Sequence, residues 1–219
     1  MSRPVIGYHS IFGAYGFWLP NDPRGSWSKE VKAEHLKAFG DPIQPGTRSS
    51  VVARRQDVGK RLEAKKRLLR KNVIFVDDQI ECLGRGFEEL IERTKLIVFA
   101  IAVMPDHVHV VYPRPQCDAE EFVGMFKRAG SRALRKEGKH PFAMETPRVA
   151  AGPKRDEGER EERVPTPGAE KAWHVFLDDA DEIRQRIDYV NDNPIKAGRP
   201  AQRCRFVTEF ADAPRGRGG

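Results

Sequence analysis

The chain has 219 residues, 32% of them charged, and a formal net charge of +7. Apolar residues make up 39%, and the longest apolar run, "LIVFAIAVM", is far shorter than the roughly 20 residues of a membrane span, which favours a globular protein and excludes a membrane-spanning helix. Its three cysteines are widely separated and form no C-x-x-C, which argues against a disulfide framework and a zinc knuckle. We therefore expect a cytosolic protein without an export signal, because no charged segment followed by an apolar segment opens the sequence.

The positive charge is concentrated in two stretches. Residues 54–71 hold nine Lys or Arg against two acidic residues, and residues 126–139 hold six against one. Clustered positive charge is typical of a phosphate-backbone partner, although a single basic run is about as often a solvated helix face. Two runs favour nucleic acid. The residues that we predict to contact DNA are Arg54, Arg55, Lys65, Lys66, Arg67, Lys127, Arg128 and Arg132.

In chain order, the first predicted element is a strand over residues 5–19, rich in aromatic and β-branched residues and followed by the breaker "PNDPRG". A basic insertion with two helices is predicted over 28–77. Between 80 and 91, apolar residues recur at spacings of three and four, which predicts an amphipathic helix. The segments "KLIVFAIAVM" and "HVHVVYP" then predict two strands that form a tight hairpin about Pro105 and Asp106.

The second half of the chain continues this alternation. A helix that begins with an Asp cap and buries Phe122 and Phe126 is predicted next, followed by a mobile, polar and Pro-rich loop over 145–172. "WHVFL" predicts a short strand. "DDADEIRQRIDYVNDNP" predicts a capped helix that buries Ile183, Ile187 and Val190 and ends at Pro194 and Gly198. "CRFVTEF" is a candidate last strand before a flexible tail at 211–219.

This order of elements predicts the fold class. We expect a single α+β domain over residues 1–219, with a ferredoxin-like split βαβ arrangement, a mainly antiparallel sheet and helices packed on one face.

Two histidines in the second hairpin strand are candidate metal ligands. Residues i and i+2 of a strand point to the same face, so His107 and His109 stand side by side with Cα atoms roughly 6.5 to 7 Å apart. Neutral imidazoles in this arrangement can reach one ion. Spacing alone leaves two interpretations open, because such a pair is more often partly exposed or hydrogen-bonded than bound to a metal.

The last predicted helix carries a second candidate pair. Tyr189 and Asn193 are four residues apart and therefore project from one side, while the apolar stripe lies elsewhere. The tyrosine is either a half-buried anchor or a reactive hydroxyl above the histidines.

These residues carry a family resemblance. "MPDHVH", followed about eighty residues later by "YVNDNPIKAG", resembles the HUH single-tyrosine transposases, in particular the REP-associated tyrosine transposases of the insertion-sequence-200-like branch. "AYGFWLPNDPRGSW" near the start and "FVTEF" near the end extend the likeness over most of the chain.

The resemblance implies an enzyme and its parts. It implies that His107, His109 and Asn193 hold Mg²⁺ or Mn²⁺, and that Tyr189 attacks a DNA phosphate to give a 5′-phosphotyrosine link and a free 3′-OH. A covalent link of this kind keeps the ester bond energy for rejoining, and a single-stranded or hairpin DNA is the expected substrate. A homodimer stays possible, and the short apolar runs predict no membrane partner.

Two other functions stay open at this point. One is a domesticated nucleic-acid-binding module that recognises hairpin DNA without cutting it. The other is a metal-dependent hydrolase that activates a water, in which Tyr189 has no role.

Overall fold

The computed structural model describes residues 4–17, 19, 34–39, 58–143 and 166–211. Within these ranges the chain forms four strands and five helices. The strands are β1 (Gly7–Ala14), β2 (Ala100–Val103), β3 (His107–Pro113) and β4 (Gly168–Leu177). The helices are α1 (Glu34–Lys37), α2 (Val58–Lys66), α3 (Asp77–Thr94), α4 (Ala119–Lys136) and α5 (Ala180–Lys196). In this part of the chain, no helix is long and apolar enough to cross a membrane.

The four strands form one antiparallel sheet in the order β2-β3-β1-β4. β1 and β2 run in the same direction but are separated by β3, which is inserted between them. The predicted split βαβ arrangement and the α+β class are therefore confirmed. The predicted hairpin is present as well, and its turn is closed by a hydrogen bond from the Met104 N–H to the His107 carbonyl at 2.7 Å.

Alternation along the strands gives the sheet two different faces. One face, which we call the helix-pair face, presents Phe12 of β1 with Val108 and Val110 of β3, and it is covered by α3 and α4. The other, the histidine face, presents His9 of β1 and His109 of β3. The prediction that the helices pack on one face is wrong, because α5 packs on the histidine face over β2 and β3.

α5 reaches that face because small side chains lie beneath it. Ala100 and Ala102 of β2 are buried together with Ile183 and Val190 of the helix. The predicted capped start is confirmed, since the Asp179 carboxylate accepts a hydrogen bond from the Glu182 N–H at 2.9 Å. The predicted end is wrong at Pro194, because the helix continues through this residue to Lys196. It is confirmed at Gly198, which follows the Ala197 cap with a φ of +71°.

The other predicted elements are confirmed in part. Asp118 caps α4 through the Glu121 N–H at 2.7 Å, as predicted, and the predicted apolar stripe of α3 is buried. The strand predicted from "WHVFL" is longer than expected, and its first residues, from Gly168, occupy part of the predicted 145–172 loop. Residues 145–165 of that loop lie outside the described ranges. Residues 204–210 form no strand, because Thr208 makes a single hydrogen bond to the Val98 carbonyl rather than a ladder.

The basic insertion is described only in its two helices and the segment after them. Ala64 of α2 is buried in a small cluster with Leu36 of α1 and Leu19, and Lys65 and Lys66 of α2 are exposed. The remaining parts of the predicted 28–77 insertion and of the 211–219 tail lie outside the described residues.

The close approach of α3 and α4 yields a stability prediction. A Cβ added at Gly86 would lie 2.7 Å from the Ala133 Cβ and 3.1 Å from the Ala129 carbonyl oxygen, whereas one added at Gly84 of the same helix would meet nothing within 4 Å. Both substitutions to Ala gain the same helix propensity. We expect Gly86→Ala to be less stable than Gly84→Ala by about 1–3 kcal/mol in urea unfolding, because only the first overpacks the interface. Equal unfolding free energies would contradict this packing.

Candidate active site

The candidate site is built first on the pairing of β1 with β3. Ile11 lies opposite His109 and Gly13 lies opposite His107, so both predicted histidines share the face on which His9 stands. His109 is 3% exposed and His9 is 1% exposed. The pair of histidines is therefore part of a row of three that the central strands hold in place.

The rings in this row are within hydrogen-bonding distance of one another. His9 Nε2 lies 2.9 Å from His109 Nδ1, and His109 Nε2 lies 2.9 Å from His107 Nε2. At the outer end, His107 Nδ1 lies 2.7 Å from a carboxylate oxygen of Asp106. Because an ionised carboxylate only accepts, His107 Nδ1 carries a proton, and in the neutral ring Nε2 presents a lone pair.

A phenylalanine packs against the outer histidine. The Phe17 ring stacks on the His107 ring with centroids 4.9 Å apart. A Cβ at Gly13 would come within 2.7 Å of the Phe17 ring, so the glycine opposite His107 is what leaves room for this stacking. The His107 ring is thus held on one side by Asp106 and on another by Phe17.

Burial keeps the inner histidines neutral. Desolvation, with a smaller effect from Arg186, lowers the pKa of His9 to about 3. Desolvation, followed by the neighbouring His107 and His9 rings, lowers the pKa of His109 well below its usual value. A neutral imidazole is the form that binds a metal ion, so this electrostatic setting suits a ligand.

Tyr189 of α5 lies against this row. Its ring makes edge-to-face contacts with His109 and with His9, at centroid distances of 5.7 and 5.9 Å. The side chain is nevertheless 41% exposed, and the Lys196 ammonium lies 6.0 Å from the ring centroid. The structure therefore brings the predicted nucleophile and the predicted histidine ligands together, with the tyrosine open to solvent.

Asn193 stands one helical turn after Tyr189. Since α5 continues through Pro194, the backbone at Asn193 is helical, and its side chain projects from the same side as Tyr189. Its side-chain amide nitrogen is buried and has no hydrogen-bond partner among the described residues. A buried N–H group without a partner costs roughly 1–3 kcal/mol, and because it only donates it calls for a hydrogen-bond acceptor such as a phosphate oxygen.

The residues fit a divalent cation in part. Two nitrogens bound to one ion at about 2.1 Å in adjacent octahedral positions lie about 3 Å apart, close to the 2.9 Å between His107 Nε2 and His109 Nε2. Within the described ranges, no cluster of three or more His, Cys, Asp or Glu has the arrangement of a complete metal site. The two histidines with the amide oxygen of Asn193 would form an open site, with positions left for water and phosphate oxygens.

The alternative tyrosine, Tyr112, lies on the helix-pair face. It is fully buried, and its ring stacks on Phe122 at 3.8 Å between centroids. Its hydroxyl and the Ser10 hydroxyl are 2.7 Å apart, and burial raises the pKa of Tyr112. Neither exposure nor position suits it to attack a phosphate.

The predicted DNA-contacting residues fall into three groups. Lys65, Lys66 and Arg67 are exposed at the end of α2, and Arg128 and Arg132 are exposed on α4. Lys127 is different, because its side chain is 11% exposed and its ammonium lies 3.5 Å from Glu120. Arg54 and Arg55 lie outside the described residues.

Sequence reasoning missed His9 and the role of Asp106. The alternation of side chains along "GYHSIFGA" could have indicated His9, because it places this ring on one strand face with Ile11 and Gly13. A polar ring buried on that face needs a hydrogen-bond partner on a neighbouring strand. Asp106 adjoins the histidine pair in "MPDHVH", but no spacing rule shows that its carboxylate turns back onto the first ring.

A histidine pair and an exposed tyrosine on one face of a ferredoxin-like sheet form the arrangement that the sequence resemblance implies. Residues 67–144 match the family described as "Transposase IS200 like". The match includes α3, β2, β3 and α4 with both histidines, covers just over a third of the chain, and ends before Tyr189. It confirms the resemblance to the IS200-like transposases and supports a transposase function, that is, a DNA-processing enzyme.

Comparison with solved structures gives a weaker likeness. A structure described as that of a REP-associated tyrosine transposase bound to a REP hairpin aligns with 90% of this chain and 72% of its own, at 10% identity and a TM-score of 0.41. No curated protein matches the sequence.

Proposed function

We propose that this protein cleaves and rejoins single-stranded or hairpin DNA through a covalent link to Tyr189. The observation that carries the proposal is the edge-to-face contact of an exposed tyrosine with the buried, neutral His109. A merely structural tyrosine at this place would be expected to bury its ring and satisfy its hydroxyl. Tyr189 instead stays 41% exposed above a row of histidines.

The proposed reaction has two displacements. In the first, the Tyr189 oxygen forms a bond to the scissile phosphorus, the bond from phosphorus to the 3′-oxygen breaks, and the tyrosine proton passes to solvent while the 3′-oxygen leaves as a hydroxyl. In the second, a 3′-OH attacks the phosphotyrosine and the bond to Tyr189 breaks. The number of phosphate ester bonds is conserved, so no nucleotide is consumed.

Each residue of the site has a part in this scheme. His107, His109 and Asn193 would hold Mg²⁺ or Mn²⁺, which when bound polarises the phosphate for attack. Asp106 orients the His107 ring so that its Nε2 lone pair faces the site. α5 holds the Tyr189 ring against His109, which limits the positions from which its oxygen approaches a phosphate.

The DNA would be held by basic surfaces beside this site and behind it. The end of α2 presents Lys65 and Lys66 to solvent, together with Arg67 directly after the helix. On the outer side of the helix pair, a groove of about 360 Å³ has a floor of small residues and a rim with Arg93, Arg132, Arg135 and Lys136. Because these cations outnumber Glu89, the one acidic residue of the groove, the groove suits a phosphate backbone and would contact a part of the DNA away from the reacting strand.

The nucleophile can be tested by removing one oxygen. We expect Tyr189→Phe to abolish the covalent protein–DNA adduct while fold and DNA affinity persist, because the ring contacts with the histidines are kept. The measurement is incubation with hairpin-flanked single strands and Mn²⁺, followed by a denaturing gel and peptide mapping of the adduct.

Tyr112→Phe is the matched control for this experiment. It removes a buried hydroxyl on the opposite face, so it should lower stability by about 1 kcal/mol and leave adduct formation intact. An adduct formed by the Tyr189→Phe protein, or mapped to Tyr112, would overturn the assignment.

The metal ligands make a second prediction. His107→Ala and His109→Ala should each lower cleavage by about 10²–10³-fold, since loss of phosphate polarisation costs several kcal/mol of transition-state stabilisation. DNA binding, measured by fluorescence anisotropy, should change little because the basic surfaces supply the affinity. Full cleavage by the double variant in excess chelator would exclude this role.

The basic face of α2 makes a third prediction. Replacing Lys65, Lys66 and Arg67 by Gln should weaken binding to all single strands and reduce the slope of log K against log salt by about 0.7 per lost contact. Glu63→Gln on the same helix changes charge by one unit in the opposite direction and should not weaken binding. A triple variant with an unchanged slope would show that α2 is a solvated face.

A further inference from the structure

His9 is a buried ring to which neither the sequence motifs nor the family match assigns a role. It is 1% exposed, and its Nε2 lies 2.9 Å from Nδ1 of His109. Its other ring nitrogen, Nδ1, is buried and has no hydrogen-bond partner among the described residues. These two observations determine how protons are distributed along the row.

With all three rings neutral, counting donors gives one consistent arrangement for the metal-free protein. The His107 proton lies on Nδ1, where it is donated to Asp106, so its Nε2 must accept the N–H of His109 Nε2. The other nitrogen of the neutral His109 then has no proton and must accept from His9 Nε2–H. The remaining nitrogen of His9 is a bare acceptor, which matches the absence of a partner there.

Metal binding reverses part of this arrangement. For His109 Nε2 to offer a lone pair to a cation, its proton must move to Nδ1, and His9 Nε2 must then accept instead of donate. We propose that His9 is the positioning residue that orients His109 and takes part in its change of tautomer when a divalent cation binds. The inference rests on the proposed function, because it assumes that His109 is a metal ligand.

If His9 has this role, different substitutions of it should affect Mn²⁺ affinity differently. A glutamine amide can turn either its N–H or its carbonyl toward His109, so His9→Gln should keep Mn²⁺ affinity within about threefold. Phenylalanine and methionine fill the space but offer neither group. Loss of such an outer hydrogen bond typically costs 10–100-fold in metal affinity, and we expect that loss in His9→Phe and His9→Met.

The experiment uses the full chain without DNA, so that binding is separated from cleavage. Mn²⁺ affinity is measured by electron paramagnetic resonance, and the tautomer of His109 is followed by NMR of ¹⁵N-labelled histidine during titration with Mg²⁺. His140→Phe is the matched control, because His140 is also a buried histidine, with Nε2 3.3 Å from the Ser131 hydroxyl at the far end of α4. It should lower stability without changing Mn²⁺ affinity.

We expect His9→Phe and His9→Met to lower the affinity for Mn²⁺ and His9→Gln to retain it. In the unmodified protein, we expect the His109 proton to move from Nε2 to Nδ1 when Mg²⁺ binds. Unchanged Mn²⁺ affinity in a folded His9→Phe or His9→Met protein, with His109→Ala deficient, would overturn the role of His9 alone. Unchanged affinity in His109→Ala would overturn the metal role of His109, and the proposed function with it.

Discussion

The pairing of β1 with β3 is the constraint on which the site depends. It sets Ile11 opposite His109 and Gly13 opposite His107, and thereby brings His9 onto the same face. Since side chains alternate with a period of two, a slip of one residue would carry His9 to the helix-pair face and break its hydrogen bond to His109. The aromatic residues resist this slip, because Phe12 is buried against Phe87 only in the observed register.

The same two strands carry polar groups on both faces, and the difference between the faces explains why Tyr189 and not Tyr112 is proposed as the nucleophile. On the helix-pair face, Ser10 bonds Tyr112 and His174, and His174 Nε2 lies 3.1 Å from Glu120. These groups satisfy one another beneath α4, so they stabilise the sheet without offering a hydroxyl to solvent. On the histidine face, the covering helix leaves Tyr189 exposed and two buried polar atoms without partners among the described residues. Both unpartnered atoms therefore lie on the face of the sheet to which the family resemblance assigns the reaction.

Much of the architecture was predictable from local patterns, because those patterns have direct physical causes. The Asp118 and Asp179 caps and the alternating strands follow from short-range hydrogen bonding and side-chain period, and the structure confirms them. The face on which α5 packs was not predictable, since it depends on Ala100 and Ala102 leaving room above β2. The helix also passes Pro194, which is buried, so tertiary packing there outweighs the local tendency to stop. The role of His9 was missed because its hydrogen-bond partner, His109, lies 100 residues away in the sequence.

The position of Tyr189 also depends on the segment that succeeds its helix. After α5, Arg199 forms an ion pair with Asp77 at the start of α3. Gln202 then accepts a hydrogen bond from the Val103 N–H at 2.8 Å and donates one to the Val103 carbonyl at 2.7 Å, as a neighbouring strand would. This segment satisfies part of the open edge of β2 and fixes the end of α5 to the sheet and to the opposite helix layer. Because β2 is joined to β3 by the short turn that contains Asp106, the helix of Tyr189 and the strand of His107 and His109 are anchored to the same hairpin.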